Sequence, residues 1–211
     1  MVARVRTQLR RKHYIEQLRS SVHTGLELAV TDQLTGIYNR RYLYTHLSSL
    51  LQHRKEGQSI SVLLLDVDHF KPINDTHGHD VGDIVLKELS RRLVNNVRGV
   101  DVACRYGGEE FVFLMPEADS ELAAKVAERL RNDIEREPFT LAGTELPSTV
   151  SIGVSTSWEE DTPDTLLKRA DEALYEAKEN GRNQVVVASD LQTKKPPEET
   201  ASENTLKQNI I

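Results

Sequence analysis

The feature of this sequence that most constrains its fold is the continuous apolar run in "SISVLLLDVD", residues 59–68. A short run of this kind, without polar alternation, is typical of a β-strand that is buried on both faces. Such a strand needs other elements to cover each side, which places it inside a sheet. The run ends in Asp66 and Asp68, so the strand would present carboxylates at its C-terminal edge.

Helical and strand patterns alternate around this run. Apolar residues at helical spacing predict four helices, over about residues 40–52, 83–97, 120–135 and 163–181. The last helix has Thr162 as its N-cap, Pro163 in its first turn and Gly181 as its stop. Residues 69–83 are predicted as a connection because proline, asparagine and glycine punctuate them. Strand formers fill "VDVACRY", "EEFVFLM", "TVSIGVST" and "QVVVA", so the order predicts an α+β fold with a mixed sheet.

The polar ends of the chain indicate one compact domain with appendages. The predicted parts are a helical linker over residues 1–30, a domain over 31–188 and a disordered tail over 189–211. Thr31 or Asp32 is the candidate N-cap in "TDQLTGIYNRRYL", which opens the domain. From Ile15 the apolar spacing in the linker allows a short coiled-coil seam, but an amphipathic helix packed on its own domain explains it equally well.

Composition excludes several kinds of partner. With a formal net charge of −6 and no long basic run, the chain lacks the electrostatic footprint that binds nucleic acid or an anionic membrane surface. It has no signal-peptide pattern and no apolar stretch of the roughly 20 residues that cross a bilayer. Its single cysteine, Cys104, excludes an internal disulfide and fits a reducing compartment. We therefore expect a cytoplasmic protein without direct membrane insertion.

A second group of acidic residues lies in "CRYGGEEF", residues 104–111. A Gly-Gly pair between two runs of strand formers predicts a hairpin, because both glycines can adopt positive φ. Asp66 and Glu109 could then converge at one sheet edge, and two hard oxygen ligands without a Cys/His set favour Mg²⁺ or Mn²⁺ over zinc. Because Gly107 and Gly108 leave the backbone bare for a bulky anion, a metal beside them suggests a nucleoside triphosphate.

Simpler interpretations of these residues remain open. A Gly-Gly turn with flanking acids is by itself more often an ordinary exposed hairpin turn. A calcium loop would need acidic positions at regular intervals between two helices, whereas residues 70–72 interrupt the pattern after a strand. His69, His77 and His79 are interpreted as turn residues, because no partner lies at metal-ligand spacing.

Several longer motifs accompany the hairpin. The segment "RYGGEEF" is preceded by "TDQLTGIYNRR" and "LLLDVDHFKPINDTHGHDVGD" and followed by "TVSIGVS" and "RADEALYEAKENGRN". From about Thr31 to Val187, these motifs closely resemble the GGDEF family of diguanylate cyclases in its GGEEF form. The resemblance implies a nucleotidyl-cyclase-like fold, with a central mixed, mainly antiparallel five-stranded sheet surrounded by helices.

The resemblance also implies a role for each matching residue. Asp66, Glu109 and the backbone carbonyl of Val67 correspond to the metal ligands, and Glu109 or a metal-bound water to the proton acceptor. The implied GTP-binding positions are Phe70 and Lys71 beneath the triphosphate, Asn74 and Asp83 at guanine, Gly108 at a close backbone contact, and Lys178 and Arg182 at the terminal phosphate. A carboxylate can accept from guanine N1–H and the exocyclic amine, whereas adenine has no N1–H. Lys178 and Arg182, four residues apart on the predicted last helix, would share one face.

The family reaction joins two GTP molecules into cyclic di-GMP and releases two pyrophosphates, as each 3′-hydroxyl attacks the α-phosphorus of the other nucleotide. One domain holds one GTP, so the resemblance implies a homodimer for catalysis. The N-terminal "ARVRTQLRRKHYIEQLRSS" resembles the last helix of a receiver domain in response regulators. We therefore expect an upstream receiver domain that is missing from this chain, without which dimerisation is poor unless the seam suffices.

A second site is implied by "RGVD", residues 98–101. Arg98 and Asp101 match the inhibitory RxxD motif of the family at its usual distance from the glycines, and Arg129 resembles its secondary arginine. A guanidinium beside a carboxylate suits a guanine edge and a phosphate, so cyclic di-GMP would bind here as product and inhibitor. An exposed ion pair at the start of a strand is the simpler interpretation of an arbitrary RxxD pattern.

Two other functions compete with an active, product-inhibited cyclase. A catalytically silent cyclic di-GMP receptor would use Arg98 and Asp101, but this chain keeps the glycines and metal acids that degenerate members lose. A cyclase that also accepts ATP is disfavoured by Asp83. The active cyclase is therefore the favoured prediction.

Overall fold

The computed structural model describes residues 29–96, 98–141 and 144–188. The predicted linker helix up to residue 28, with its seam, and the predicted tail lie outside these described residues. The elements are β1 (Tyr38–Asn39), α1 (Arg40–Gln52), β2 (Ile60–Val67), α2 (Phe70–His77), α3 (His79–Asn96), β3 (Val102–Gly107), β4 (Glu110–Pro116), α4 (Ser120–Arg136), β5 (Phe139–Leu141), β6 (Thr144–Leu146), β7 (Val150–Thr156), α5 (Pro163–Glu179) and β8 (Val185–Val187). In the described ranges, none of the helices combines the length and apolar character that a membrane span requires.

The strands of the described residues form a six-stranded sheet, in the order β1-β3-β4-β2-β7-β8, and a separate β5–β6 hairpin. Each neighbouring pair among the four inner strands is antiparallel, whereas the edge strands β1 and β8 pair in parallel with their neighbours. This arrangement confirms the α+β class and the mixed, mainly antiparallel sheet. The main sheet has one strand more than the predicted five, because the two-residue β1 is too short to leave a strand pattern in the sequence.

β2 is a central strand, and every one of its residues is buried. Leu63 and Leu65 pack in a core that also contains residues of α3 and α4, whereas Val62 and Leu64 pack in a second core with α1 and α5. The apolar run therefore has the predicted cover on both faces. Antiparallel pairing with β4 and β7 places the end of β2 beside the start of both strands.

α5 packs closely on β7 because Gly153 has no side chain. A Cβ at this position would overlap the backbone carbonyl of Ala170 and the backbone nitrogen of Leu174. The helix begins at the predicted Thr162 cap with Pro163 in its first turn, and it ends at Glu179. This close packing fixes where the C-terminal end of α5 meets the sheet.

The segment predicted as a connection after β2 contains the helix α2, so that prediction is wrong. Pro72 lies in the first turn, where the missing amide hydrogen breaks no intrahelical bond. Phe70 and Ile73 bury the inner face of α2 in the core. Gly78, at a φ of 86°, separates α2 from α3.

The N-cap of α1 is Asn39, not the predicted Thr31 or Asp32. Its Oδ1 accepts from the Tyr42 amide at 3.0 Å, and its Nδ2 donates to the carbonyls of Ala29 and Thr31, both at 3.1 Å. Asp32 is used elsewhere, because its carboxylate caps the turn that precedes β1. One side chain thus joins the incoming chain to the first turn of α1.

Candidate active site

The candidate active site lies where β2 ends beside the β3–β4 hairpin. Asp66 is directly opposite Glu110 across the sheet. Glu109 follows Gly108 in the turn between the two hairpin strands. The charge of Glu109 contributes to a raised pKa at Asp66, after the larger effect of burial. The structure thus brings the two carboxylates predicted to bind metal to the same edge.

At this edge of the sheet, several acidic side chains lie close together and are partly shielded from water. Asp66 is only 8% exposed. Burial raises the pKa of its carboxyl, and the charges of Glu109 and Asp68 raise it further, whereas Lys178 opposes the shift by donating a hydrogen bond. Burial, followed by the charge of Asp66, also raises the pKa of Glu110. Carboxylates in such an environment favour a nearby cation.

Lys178 supplies a cation from the chain itself. Its Nζ lies 2.8 Å from Asp66 Oδ2, and both side chains are largely shielded from solvent. The lysine projects from the last turn of α5, so the close packing at Gly153 helps to set its position. A positive group already binds the carboxylate where a metal ion is predicted.

The donors at this edge are oxygen atoms. The carboxylates of Asp66 and Glu109 and the backbone carbonyl of Val67 are hard ligands of the kind that Mg²⁺ and Mn²⁺ prefer. Within the described ranges, no group of three or more His, Cys, Asp or Glu side chains is arranged to hold a metal ion. A metal here would therefore depend on these two acids together with phosphate oxygens and water, which is the usual mode of Mg²⁺ binding. The residues present fit that ion.

The hairpin turn is held by Arg105, which the sequence analysis did not select. Its Nε and Nη2 donate to the Gly108 carbonyl at 3.0 and 2.8 Å, and its Nη1 donates to Asp32 Oδ1 at 3.1 Å. Burial raises the pKa of Asp32, but hydrogen bonds from Thr35 and Arg105 lower it overall. The arginine stands in the "RYGGEEF" motif, yet nothing in the sequence indicates its partner 73 residues away.

Only Gly108 of the glycine pair has a positive φ, of 53°. Gly107 does not use the positive φ that glycine allows, since an irregularity between Arg105 and Gly107 shifts the register and leaves Gly107 as the last residue of β3. A Cβ at Gly108 would meet no atom within 4 Å. The backbone of the turn is therefore open to a ligand on that side.

The two predicted guanine-binding residues lie on neighbouring helices. Asn74 is on α2, and its Oδ1 is buried without a hydrogen-bond partner among the described residues. A Cβ at Gly82 on α3 would overlap this oxygen and crowd the Phe70 ring. Asp83 is the next residue of α3 and is exposed. An unpaired buried acceptor is rare in a folded protein, so this oxygen is a candidate acceptor for a donor that the described residues do not supply.

Gly82 has a role that was not predicted from the sequence, although it lies in the motif "LLLDVDHFKPINDTHGHDVGD". Only a residue without a side chain allows α3 to approach Asn74 this closely. Lys71, the other predicted residue of α2, is exposed, while Phe70 is buried beside Gly82. Its position directly before Asp83, a predicted guanine-binding residue, is the sequence feature that could have indicated this role.

Arg182 lies beyond the end of α5. The helix stops at Glu179, and Arg182 has a φ of 64°. The prediction that Lys178 and Arg182 share a helix face is therefore wrong, because the helical spacing does not extend to residue 182. Both residues nevertheless belong to the same end of α5, and the Arg182 amide donates to the Ala177 carbonyl at 3.0 Å.

The predicted inhibitory motif forms a turn just before β3. The Arg98 amide donates to Asp101 Oδ2 at 2.9 Å, and the Asp101 amide donates to the Arg98 carbonyl at 3.0 Å. The Asp101 carboxylate thus fixes the turn that presents Arg98. Arg98 is exposed, as is Arg129 on α4.

Comparisons with known proteins identify the family of this chain. The family described as diguanylate cyclase, GGDEF domain, matches residues 29–184. The response regulator PleD of Caulobacter vibrioides is 54% identical over 188 residues, which are 87% of this chain and 41% of PleD. This chain spans less than half the length of the curated relatives that it matches.

Solved structures show the same fold. The coiled coil and GGDEF domain of DgcB from Caulobacter crescentus, in complex with c-di-GMP, has a TM-score of 0.79 and 30% identity, covering 84% of this chain and 95% of that one. The active GGEEF domain of a diguanylate cyclase from Vibrio cholerae has a TM-score of 0.66 and 32% identity, covering 72% of this chain and 97% of that one. With the family match over most of its length, the chain belongs to the GGDEF family of diguanylate cyclase domains.

Proposed function

We propose that this chain is the catalytic domain of a diguanylate cyclase, which condenses two GTP molecules into cyclic di-GMP and releases two pyrophosphates. Family membership supports the reaction class. The meeting of Asp66, Glu109 and Lys178 at one sheet edge supports catalytic competence most directly. A silent receptor would have no need of this acidic edge or of the open turn at Gly108.

The substrate-binding residues divide into a base site and a phosphate site. The unpaired Oδ1 of Asn74 and the carboxylate of Asp83 would accept hydrogen bonds from the guanine N1–H and exocyclic amine. The bare backbone at Gly108 would approach the triphosphate, and Lys178 and Arg182 would neutralise the terminal phosphate. The lysine can make this exchange because its ammonium pairs with either a carboxylate or a phosphate.

Mg²⁺, or Mn²⁺, is the proposed cofactor, and Asp66, Glu109 and the Val67 carbonyl would hold it. Such an ion lowers the pKa of the attacking 3′-hydroxyl and neutralises charge on the leaving group. Glu109, in the turn beside the open backbone, is the proposed proton acceptor for that hydroxyl. The carboxylate of Asp66 would add negative charge that attracts the cation out of water.

The reaction needs two domains, because each domain of the proposed homodimer holds one GTP. We therefore expect GTP, but not ATP, to yield cyclic di-GMP in the presence of Mg²⁺, with a specific activity that rises with protein concentration until the dimer is fully formed. Product formation measured across a series of protein concentrations tests both points. A specific activity that stays flat down to concentrations at which the protein is monomeric would contradict catalysis by the dimer. No product together with tight cyclic di-GMP binding would favour a silent receptor. A reaction that consumes GTP also fits the cytoplasmic location expected from the sequence.

Product inhibition is proposed for the exposed turn of Arg98 and Asp101, with Arg129 as a further contact. In Arg98→Ala, the initial rate without product should stay unchanged while the inhibition constant for added cyclic di-GMP rises about tenfold to a hundredfold, the effect of losing a charge-assisted hydrogen bond of about 1.5–3 kcal/mol. Initial rates over a range of added product measure this change.

Arg91→Ala is the matched control for this substitution. Arg91 is an exposed arginine on α3 that pairs with Glu88 and lies outside the proposed site. Its removal should leave the inhibition constant unchanged. An inhibition constant in Arg98→Ala equal to that of the control would remove the assignment.

A further inference from the structure

We propose that Asp68 is a positioning residue, which ties the loop that carries Arg182 to the end of the metal-binding strand. The inference rests on the proposed function, because it assigns Asp68 to the phosphate site of the same reaction. Asp68 lies two residues after Asp66, and nothing in the sequence distinguishes it from an ordinary acidic residue at a strand end. Its contacts in the folded chain do distinguish it.

The carboxylate of Asp68 is buried and fully engaged. The residue is 4% exposed. Its Oδ1 accepts from the Ser151 hydroxyl at 2.7 Å, and its Oδ2 accepts from the Thr149 hydroxyl at 2.7 Å and from the Asn183 amide at 3.0 Å. A buried carboxylate needs such donors. The first two come from β7 and the residue before it, whereas the third comes from the loop after α5.

That loop has an uncommon backbone. Gly181, Arg182 and Asn183 have φ values of 108°, 64° and 46°. Left-handed backbone is costly for an arginine and less so for an asparagine, whereas glycine adopts it freely. Such a conformation persists only where surrounding contacts enforce it. The Asn183 side chain supplies further contacts, accepting from Arg131 at 2.9 Å and donating to Glu135 at 2.8 Å on α4.

Arg182 is held between these contacts. Its own amide is bonded to Ala177 in α5, and the next residue is bonded to Asp68 and α4. The backbone of Arg182 is thereby held in a fixed position relative to Asp66. Removing the Asp68 carboxylate should loosen the loop, because the Asn183 amide loses its acceptor while the side-chain contacts to α4 remain. Binding a triphosphate must then first order the loop. Binding of the base, which uses Asn74 and Asp83, should not change.

The test compares ligands that differ only in their phosphates. In Asp68→Ala, the affinity for 3′-deoxy-GTP should fall at least tenfold, while the affinity for 3′-deoxy-GMP changes less than twofold, measured by titration calorimetry with Mg²⁺ present. Neither nucleotide has the 3′-hydroxyl that attacks, so no turnover occurs. Asp68→Asn should largely restore 3′-deoxy-GTP affinity, because its amide oxygen can still accept from Asn183 while its NH₂ group faces the Ser151 hydroxyl oxygen.

Ser151→Ala is the matched control. It removes a bond of 2.7 Å from the same carboxylate without touching the loop, so it should preserve the ratio of the two affinities. An unchanged 3′-deoxy-GTP affinity in Asp68→Ala, or an equal loss for both nucleotides, would overturn the positioning role. If the unsubstituted protein binds no 3′-deoxy-GTP in the presence of Mg²⁺, the proposed function fails instead.

Hydrogen exchange of the unsubstituted protein gives a result that needs neither a variant nor a nucleotide. The Asn183 amide should exchange as slowly as the amides of β7. Exchange at the rate of an exposed loop would overturn the inference even if Asp68→Ala failed to fold.

Discussion

Replacing Glu109 by glutamine should lower cyclic di-GMP synthesis by at least about a hundredfold, the lower end of the effect of removing a general base. Glutamine has nearly the same shape but cannot accept the proton, and it is a weaker ligand for Mg²⁺. Because Glu109 lies in a two-residue turn outside the core, the fold should survive. The rate at saturating GTP and the thermal midpoint of each protein measure the two effects.

Glu121→Gln is the control for this substitution. Glu121 is an exposed acid in the first turn of α4 that pairs with Lys125. Its replacement should leave both turnover and stability nearly unchanged, since surface ion pairs contribute little. Turnover of Glu109→Gln above about a tenth of the control rate, when a hundredfold loss is expected for a general base, would contradict the assigned role.

Gly153→Ala should destabilise the fold by about 3 kcal/mol or more, at the upper end of the range for overpacked cores. The new methyl group would overlap backbone atoms of Ala170 and Leu174, and backbone cannot move aside as a flexible side chain can. α5 would have to shift away from β7. Since α5 carries Lys178, the surviving folded protein should also lose activity. Urea unfolding measures the change in the free energy of unfolding.

Gly99→Ala is the corresponding control, because a Cβ at Gly99 would meet no atom within 4 Å and Gly99 does not have a positive φ. Its free energy of unfolding should stay within about 1 kcal/mol of the starting protein or rise slightly. A loss below about 1 kcal/mol in Gly153→Ala would show that the helix and the sheet can separate at little cost, contrary to the packing described.

Local patterns predicted the parts of the fold that depend on local chemistry. A strand buried on both faces must be apolar throughout, which made β2 visible in the sequence. The cap of α5 was equally visible, because Thr162 and Pro163 are residues that helix starts prefer for their own hydrogen-bonding geometry. The hairpin around Gly108 belongs to the same group.

Elements that depend on distant contacts were not predicted. α2 is short and contains a proline, so its stability comes from burying Phe70 and Ile73 and not from helix propensity. The two residues of β1 exist as a strand only because β3 lies beside them. The prediction that Arg182 lies on a face of α5 was wrong, because the helix ends at Glu179 and Gly181 comes before Arg182.

In the candidate site too, local features could be predicted and distant contacts could not. The residues of the motifs could be assigned from the resemblance, since each motif is a short continuous stretch. The contacts that hold those residues in place join positions far apart in sequence, such as Arg105 with Asp32, 73 residues apart, and Asn183 with Asp68, 115 residues apart. A single sequence contains no record of such pairs.

The side chain of Asn39 has a mechanical consequence. Its amide group binds the carbonyls of Ala29 and Thr31 on one side and the first turn of α1 on the other. These hydrogen bonds attach residues 29–31 to the start of α1. Because Asn39 also ends β1, which pairs with β3, we expect a displacement of residues 29–31 to be passed to the edge of the sheet that carries the turn at Gly108.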